Sequence, residues 1–175
     1  MRTTLDTSDI RLLIADRYRH MALLLSTMAR GFGIREIHTT VDPDVAVGKM
    51  SDGLFNCAML DERVGDMAAN DMARIVRDHR GHHRLSIIKT TASPTSHSIE
   101  MAQRAGIDLV LAKPFSAFDL YLRVSVLVCV TQPALRSGMW NPVSSPMETV
   151  QTRSALARHV SIAPDRIADD AAILL

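Results

Sequence analysis

Five short apolar runs alternate with segments of helical character along this chain of 175 residues. Each run is too short for a buried helix and ends at a polar break, which is typical of a buried strand. Strands that alternate with helices at this period form a parallel sheet with helices on both faces. We therefore predict an α/β fold with five parallel strands, at residues 11–16, 34–39, 56–61, 85–91 and 107–112.

The segments between the predicted strands carry apolar residues at helical spacing. Asp42-Pro43 is a typical helix start, and Gly53 and Gly106 are typical stops. The last helix is apolar on two sides, which predicts a second partner beyond its own sheet. The predicted helices cover about residues 21–32, 43–52, 66–77, 98–105 and 115–130; the third should bury Met67, Met72, Ile75 and Val76, and the last carries one stripe of Phe115, Phe118, Leu122 and Val126 and another of Leu120, Val124, Leu127 and Val128.

Four polar side chains stand where predicted strands end. Asp16 ends the first strand, Asp61 the third and Thr91 the fourth, while Lys113 follows the fifth. Right-handed crossovers bring the carboxyl ends of parallel strands to one edge of the sheet, which is where open α/β sheets bind their ligands. We therefore expect these four side chains to converge on one site.

This arrangement resembles the receiver domain of two-component response regulators. The resemblance rests on Leu12-Leu13-Ile14-Ala15-Asp16, on Asp61, on Thr91-Ala92 and on Lys113-Pro114-Phe115, and it spans roughly residues 10–130. It implies the flavodoxin-like fold of CheY-like receivers and a signalling role that is not enzymatic. It also implies that Asp61 is the phosphoacceptor, with Thr91 and Lys113 as catalytic neighbours that bind phosphoryl oxygens.

The resemblance further implies a Mg²⁺ ion held by Asp16, Asp61 and the backbone carbonyl of Arg63. The family ends its first strand on two acids, and the second acid is the direct metal ligand. Here that position is Arg17, a permanently charged donor that cannot ligate a cation, so the metal site is weakened. We expect Arg17 either to take the place of the metal beside Asp61 or Asp16, or to point away from the pocket at the surface.

Two functions follow from these residues. The first is a response regulator receiver that acts by protein–protein contact under the control of Asp61. The second is a phosphorylation-independent pseudo-receiver that serves as an interaction or dimerisation scaffold. The resemblance implies as partners a histidine kinase or phosphotransfer protein, a downstream protein that meets the last helix and the fifth strand, and a second copy of the chain.

Charge and hydropathy limit the other partners. The formal net charge is +1, which argues against a field that attracts nucleic acid or a membrane surface. The longest apolar run, at residues 124–130, is far too short to span a bilayer. We therefore expect a cytoplasmic protein that binds neither nucleic acid nor membrane.

The chain divides into a predicted receiver domain at residues 1–132 and a C-terminal extension at 133–175 without a recognisable output domain. Prolines and serines near the start of the extension indicate a linker or an extended wrap. The basic loop at residues 77–84 fits no zinc spacing and is predicted to be solvated, with a metal site or an anion patch as alternatives. Cys57 and Cys129 lie in apolar runs and are predicted to be buried, unreactive thiols.

Overall fold

A six-stranded sheet forms the centre of the computed structural model, which describes residues 7–78 and 85–131 and the backbone of Ala172–Leu174. Five strands are parallel, as predicted, and a sixth runs antiparallel at one edge. The strands are β1 (Arg11–Ala15), β2 (Glu36–Thr40), β3 (Cys57–Asp61), β6 (Ser86–Thr91), β7 (Leu109–Ala112) and β8 (Ala172–Leu174), with β4 (Arg63–Val64) and β5 (Met67–Ala68) forming a separate hairpin. Their order across the large sheet is β2-β1-β3-β6-β7-β8.

Helices cover both faces of this sheet, which confirms the predicted fold class. On one face lie α1 (Arg19–Gly31) and α5 (Ala117–Thr131), and on the other lie α2 (Pro43–Ser51), α3 (Ala69–Asp78) and α4 (Ser96–Arg104). Successive side chains of a strand point to opposite faces, so each central strand contributes to two hydrophobic cores. In β1, for example, Leu12 and Ile14 join the core under α1 and α5, while Leu13 joins the other.

Local sequence explains where α2 and α4 begin. The carboxylate of Asp42 accepts backbone hydrogen bonds from the first turn of α2, and Pro43 occupies the first helical position. Thr95 and Ser98 exchange reciprocal side-chain-to-backbone bonds in a capping box at the start of α4. Because Thr95 is the cap, α4 begins at Ser96, two residues before the predicted start.

The hairpin after β3 was not predicted. Its two strands are joined by a turn at Gly65, whose φ of +57° favours glycine. The backbone nitrogen of Ala69 donates to the carbonyl oxygen of Glu62 at 3.1 Å. The hairpin therefore uses the residues that were predicted to open the third helix, and α3 begins at Ala69 instead of residue 66.

Exposure separates the two apolar stripes of α5. The stripe of Leu120, Val124, Leu127 and Val128 is buried in the core. In the other stripe, Phe118 is 59% exposed and Leu122 and Val126 are each 39% exposed. Ile75 of α3 is also exposed, contrary to the prediction, because the buried face of α3 runs through Met72 and Val76.

The antiparallel strand β8 was not predicted either. It covers the edge of β7 that the five parallel strands leave free. The paired residues are Leu109↔Leu174, Val110↔Ile173 and Leu111↔Ala172. The rest of the predicted extension, at residues 133–171 and 175, lies outside the described residues, so the division into two parts stays a prediction.

The two cysteines differ in their surroundings. Cys57 is buried in β3, and this burial raises the pKa of its thiol, so the reactive thiolate is disfavoured. Cys129 of α5 is partly exposed. The prediction of buried thiols is therefore confirmed for Cys57 and wrong for Cys129.

Residues 79–84 of the basic loop lie outside the described residues, so their solvation stays a prediction. The prediction is wrong for Arg77, which lies in α3 with a side chain only 12% exposed and paired with Asp108. Within residues 7–78 and 85–131, none of the helices is both long and apolar enough to cross a membrane. The longest of them, α5, has 15 residues.

Candidate functional site

The carboxyl ends of four parallel strands meet at one edge of the sheet. Asp16 follows β1, Asp61 and Thr91 are the last residues of β3 and β6, and Lys113 follows β7. The register keeps these ends level, since Thr91 pairs with Ala112 and the backbone nitrogen of Lys113 donates to the carbonyl of Thr91 at 2.7 Å. The topology therefore gathers the four residues at one edge.

Asp61 lies between two cations. The Nζ atom of Lys113 donates to its Oδ1 atom at 3.0 Å, and the Nε atom of Arg17 donates to its Oδ2 atom at 3.1 Å. The side chain of Asp61 keeps only 10% of its surface exposed. Hydrogen bonds between charged partners are stronger than neutral ones, and more so away from water. Both oxygens of the carboxylate are therefore held by side chains of the protein itself.

Asp16 extends this arrangement into a row of alternating charges. It is fully buried, and its Oδ2 atom lies 3.3 Å from Nζ of Lys113. Its Oδ1 atom accepts the backbone N–H of Tyr18 at 2.9 Å. Lys113 thus bridges the two carboxylates, and Arg17 binds Asp61 from the far side. Buried charges require such pairing, and here two acids face two cations.

The side chain of Arg17 turns toward the pocket, so the alternative in which it points away is wrong. Its guanidinium carbon lies 5.9 Å from the centre of the Tyr18 ring. The hydrogen bond to Asp61 raises the pKa of Arg17 further, and the guanidinium stays charged throughout the physiological range. A permanent positive charge therefore stands beside Oδ2 of Asp61.

Thr91 lies at the same edge but bonds to a different acid. Its hydroxyl donates to Oε2 of Glu62 at 3.0 Å and accepts the backbone N–H of Ser93 at 3.3 Å. The buried ammonium of Lys89 lies 3.8 Å from Oε1 of Glu62 and 3.4 Å from Oδ1 of Asn70. Neither Glu62 nor Lys89 was predicted to belong to the site. A lysine inside the apolar run of β6 was the available signal, because lysine is seldom buried without a partner.

The side chains at this edge do not fit a Mg²⁺ ion. Magnesium requires near-octahedral coordination by oxygen atoms. Asp16 and Asp61 offer carboxylates, but Lys113 bonds to both of them and Arg17 bonds to the remaining oxygen of Asp61. In the part of the chain that the structure describes, no group of three or more His, Cys, Asp or Glu residues is placed to hold a metal.

The third predicted metal ligand was the backbone carbonyl of Arg63. This residue opens β4, two positions beyond Asp61. Its guanidinium donates to the carbonyl oxygen of Asp66 at 2.6 Å, which closes the hairpin. A metal-binding role for Arg63 stays a prediction.

Comparison with known proteins identifies the fold family. No family model matches the chain. The chemotaxis protein CheY of Pseudomonas aeruginosa is 25% identical over 108 residues, which are 62% of this chain and 87% of that protein. The receiver domain of the Francisella response regulator 1452 superposes with a TM-score of 0.64 at 21% identity, over 71% of this chain and 100% of the other. This chain has the fold of a CheY-like receiver domain.

A further receiver domain of known structure contains a metal. It belongs to the sensor histidine kinase PA1611 of Pseudomonas aeruginosa, has a magnesium ion in its active-site cleft, and superposes with a TM-score of 0.62 at 22% identity over 69% of this chain and 98% of its own. In the present chain, the strand-end cluster contains two cationic side chains, Arg17 and Lys113, both paired with Asp61.

Proposed function

We propose that this receiver domain relays a signal by protein–protein contact, and that Arg17 takes the role that a metal ion has in other receivers. The observation that carries the proposal is the bond between Nε of Arg17 and Oδ2 of Asp61 at 3.1 Å. It lies on the oxygen opposite to the one that Lys113 binds at 3.0 Å. The carboxylate is thereby neutralised without a metal.

This geometry favours a receiver that works independently of phosphorylation. A carboxylate that attacks a phosphoryl group needs an available lone pair and a nearby charge to stabilise the transferring oxygens. Each oxygen of Asp61 already accepts a charge-assisted bond, which makes the carboxylate a weaker nucleophile. The domain would then serve as an interaction scaffold, without enzymatic turnover.

Phosphorylation at Asp61 is the second candidate, and it is favoured by a different observation. The side chain of Arg17 is 39% exposed, so it has room to swing outward. A guanidinium also binds phosphate oxygens well, so Arg17 and Lys113 together could hold a transferring phosphoryl group. Under this candidate the partner would be a histidine kinase or phosphotransfer protein.

The surface for a downstream partner lies on α5. Its exposed stripe consists of Phe118, Leu122 and Val126, and apolar stripes of this kind mark contact surfaces. The outer edge of β7 is already paired with β8, so a partner would meet the helix and not the strand backbone. A protein target or a second copy of the chain fits this surface in a cytoplasmic setting, whereas nucleic acid and membrane do not enter the proposal.

Phosphorylation tests the proposal directly. The full chain is incubated with acetyl phosphate and Mg²⁺, and its intact mass is measured. We expect the wild type to keep its mass and Arg17→Asp to gain the mass of one phosphoryl group, because the new acid supplies the missing metal ligand. Adding Asp61→Asn to Arg17→Asp should abolish the gain.

A matched variant controls for the change of charge, and a second measurement tests the binding of Mg²⁺. Arg19→Asp makes the same charge change on an exposed residue at the start of α1 and should leave the mass unchanged. Thermal unfolding should show that Mg²⁺ stabilises Arg17→Asp but not the wild type, since only a binding ligand raises stability. Phosphorylation of the wild type would overturn the proposal in favour of the second candidate.

A further inference from the structure

Glu62 and Thr91 form a contact that the function proposed for Asp61 does not use. Glu62 is the residue directly after Asp61, and its Oε2 atom accepts the hydroxyl of Thr91 at 3.0 Å. Thr91 is only 2% exposed, so this hydroxyl has little access to water. A buried hydroxyl needs a partner, and the partner here is a carboxylate of the same chain.

The contact uses the whole donor capacity of Thr91. A threonine hydroxyl has one proton to donate and lone pairs to accept. The proton goes to Glu62, and a lone pair receives the N–H of Ser93 at 3.3 Å. Thr91 therefore cannot donate to an oxygen at Asp61 while the bond to Glu62 exists. Through Ser93 the same hydroxyl also holds the turn that follows β6.

Glu62 is itself held on two sides. Its carbonyl oxygen accepts the N–H of Ala69 at the start of α3, at 3.1 Å. Its Oε1 atom lies 3.8 Å from the ammonium of Lys89, whose side chain is only 7% exposed. This salt bridge is a second contact for a carboxylate whose own side chain is 48% exposed. Contacts to Thr91 and Lys89 therefore place the two carboxylate oxygens of Glu62 against β6.

We propose that Glu62 is a positioning residue whose carboxylate takes the place of a phosphoryl oxygen as the acceptor for Thr91. The turn at Ser93 then keeps one position whatever the chemical state of Asp61. This proposal rests on the function proposed for the Asp61 pocket and adds to it how the β6 turn is controlled. Arg17 replaces the metal on one side of Asp61, and Glu62 replaces the phosphoryl contact on the other.

Amide NMR of the full chain provides the first test. In Glu62→Ala the Ser93 amide signal should shift and broaden, because Thr91 is free to rotate and the turn loses its anchor. Thr91→Val should move the same signal further, because it also removes the oxygen that accepts the Ser93 N–H, and adding Glu62→Ala to Thr91→Val should move it no further. Glu62→Gln retains an acceptor oxygen and should restore most of the wild-type signal. Glu100→Ala, which removes an exposed acid paired with Arg104 on α4, is the control and should leave Ser93 unchanged.

A second measurement separates a positioning role from a merely structural one. In the Arg17→Asp background, beryllofluoride with Mg²⁺ is added as a phosphoryl mimic. The Ser93 signal should move little while Glu62 is present and move strongly when Glu62→Ala is added, because Thr91 can then turn toward the mimic. A role limited to stability would change the unfolding midpoint but not this response.

The outcomes distinguish this proposal from the proposed function. If beryllofluoride fails to bind Arg17→Asp, the role assigned to Arg17 fails, while the first test still decides the role of Glu62. An unchanged Ser93 amide in Glu62→Ala overturns the positioning role. A Ser93 signal that responds equally to the mimic with and without Glu62 overturns it as well.

Discussion

Lys113→Met should lower the free energy of unfolding by about 3 kcal/mol, because it removes the cation shared by two buried carboxylates. Asp16 has a side chain that is only 1% exposed, and Lys113 is the cation that it contacts, at 3.3 Å. Asp61 would keep Arg17 as a partner but would face Asp16 without a charge between them. The loss is therefore mainly the cost of a buried carboxylate left without its counter-charge.

Urea unfolding of the full chain measures this loss. A control variant and a rescue variant are measured beside it. Lys49→Met removes a lysine of α2 whose ammonium lies 5.9 Å from the Phe55 ring, and it should cost about 0.5 kcal/mol or less. Adding Asp16→Asn to Lys113→Met should recover part of the stability, because the uncompensated charge is gone while an oxygen still accepts the N–H of Tyr18. Equal losses in Lys113→Met and Lys49→Met would show that Lys113 does not hold the charged cluster together.

Arg77→Met should produce a loss of similar size, about 3 kcal/mol, at the opposite edge of the sheet. The guanidinium of Arg77 donates to Oδ2 of Asp108 at 2.7 Å and to the carbonyl of Gly106 at 2.9 Å. The same Asp108 oxygen accepts the N–H of Ile87, so one ion pair joins α3 to the start of both β6 and β7. Both side chains are largely buried, at 12% and 17% exposure, which makes the loss of one charge costly.

Arg74→Met on the same helix is the matched control. Arg74 pairs with Asp71 three residues earlier, but both side chains are well exposed, at 45% and 57%. Exposed pairs of this kind contribute about 0.5 kcal/mol or less. The difference between the two methionine variants, measured by urea unfolding, isolates the effect of burial. If Arg74→Met cost as much as Arg77→Met, helix packing and not the buried ion pair would explain the loss.

The backbone at the site could be predicted from the sequence because strand ends are local features. An apolar run that breaks at Asp16 or Asp61 marks both the strand and its carboxyl end, and parallel topology then brings such ends together. The direction of a side chain, by contrast, depends on residues that are distant in sequence. Arg17 could point outward or toward Asp61, and the choice depends on a carboxylate 44 positions away. The bond between Glu62 and Thr91 escaped prediction for the same reason.

The failure to predict β4, β5 and β8 has a different cause. The strands of the hairpin around Gly65 have two residues each, which is too short for an alternating pattern to be recognised. Strand β8 has three residues, and its pairing partner is distant in sequence. Short elements of this kind are determined by what they pair with and not by their own composition.

Strand β8 forms an edge of the sheet that we expect to detach from β7 while the rest of the domain stays folded. It is attached to β7 by three residue pairs, and it lies roughly sixty positions further along the chain, so its closure costs more entropy than that of a neighbouring strand. We therefore expect backbone amides that bond across this pair to exchange by local opening, at a lower free energy than amides between β3 and β6. Access to the outer edge of β7 would then require the detachment of one short strand and not the unfolding of the whole domain.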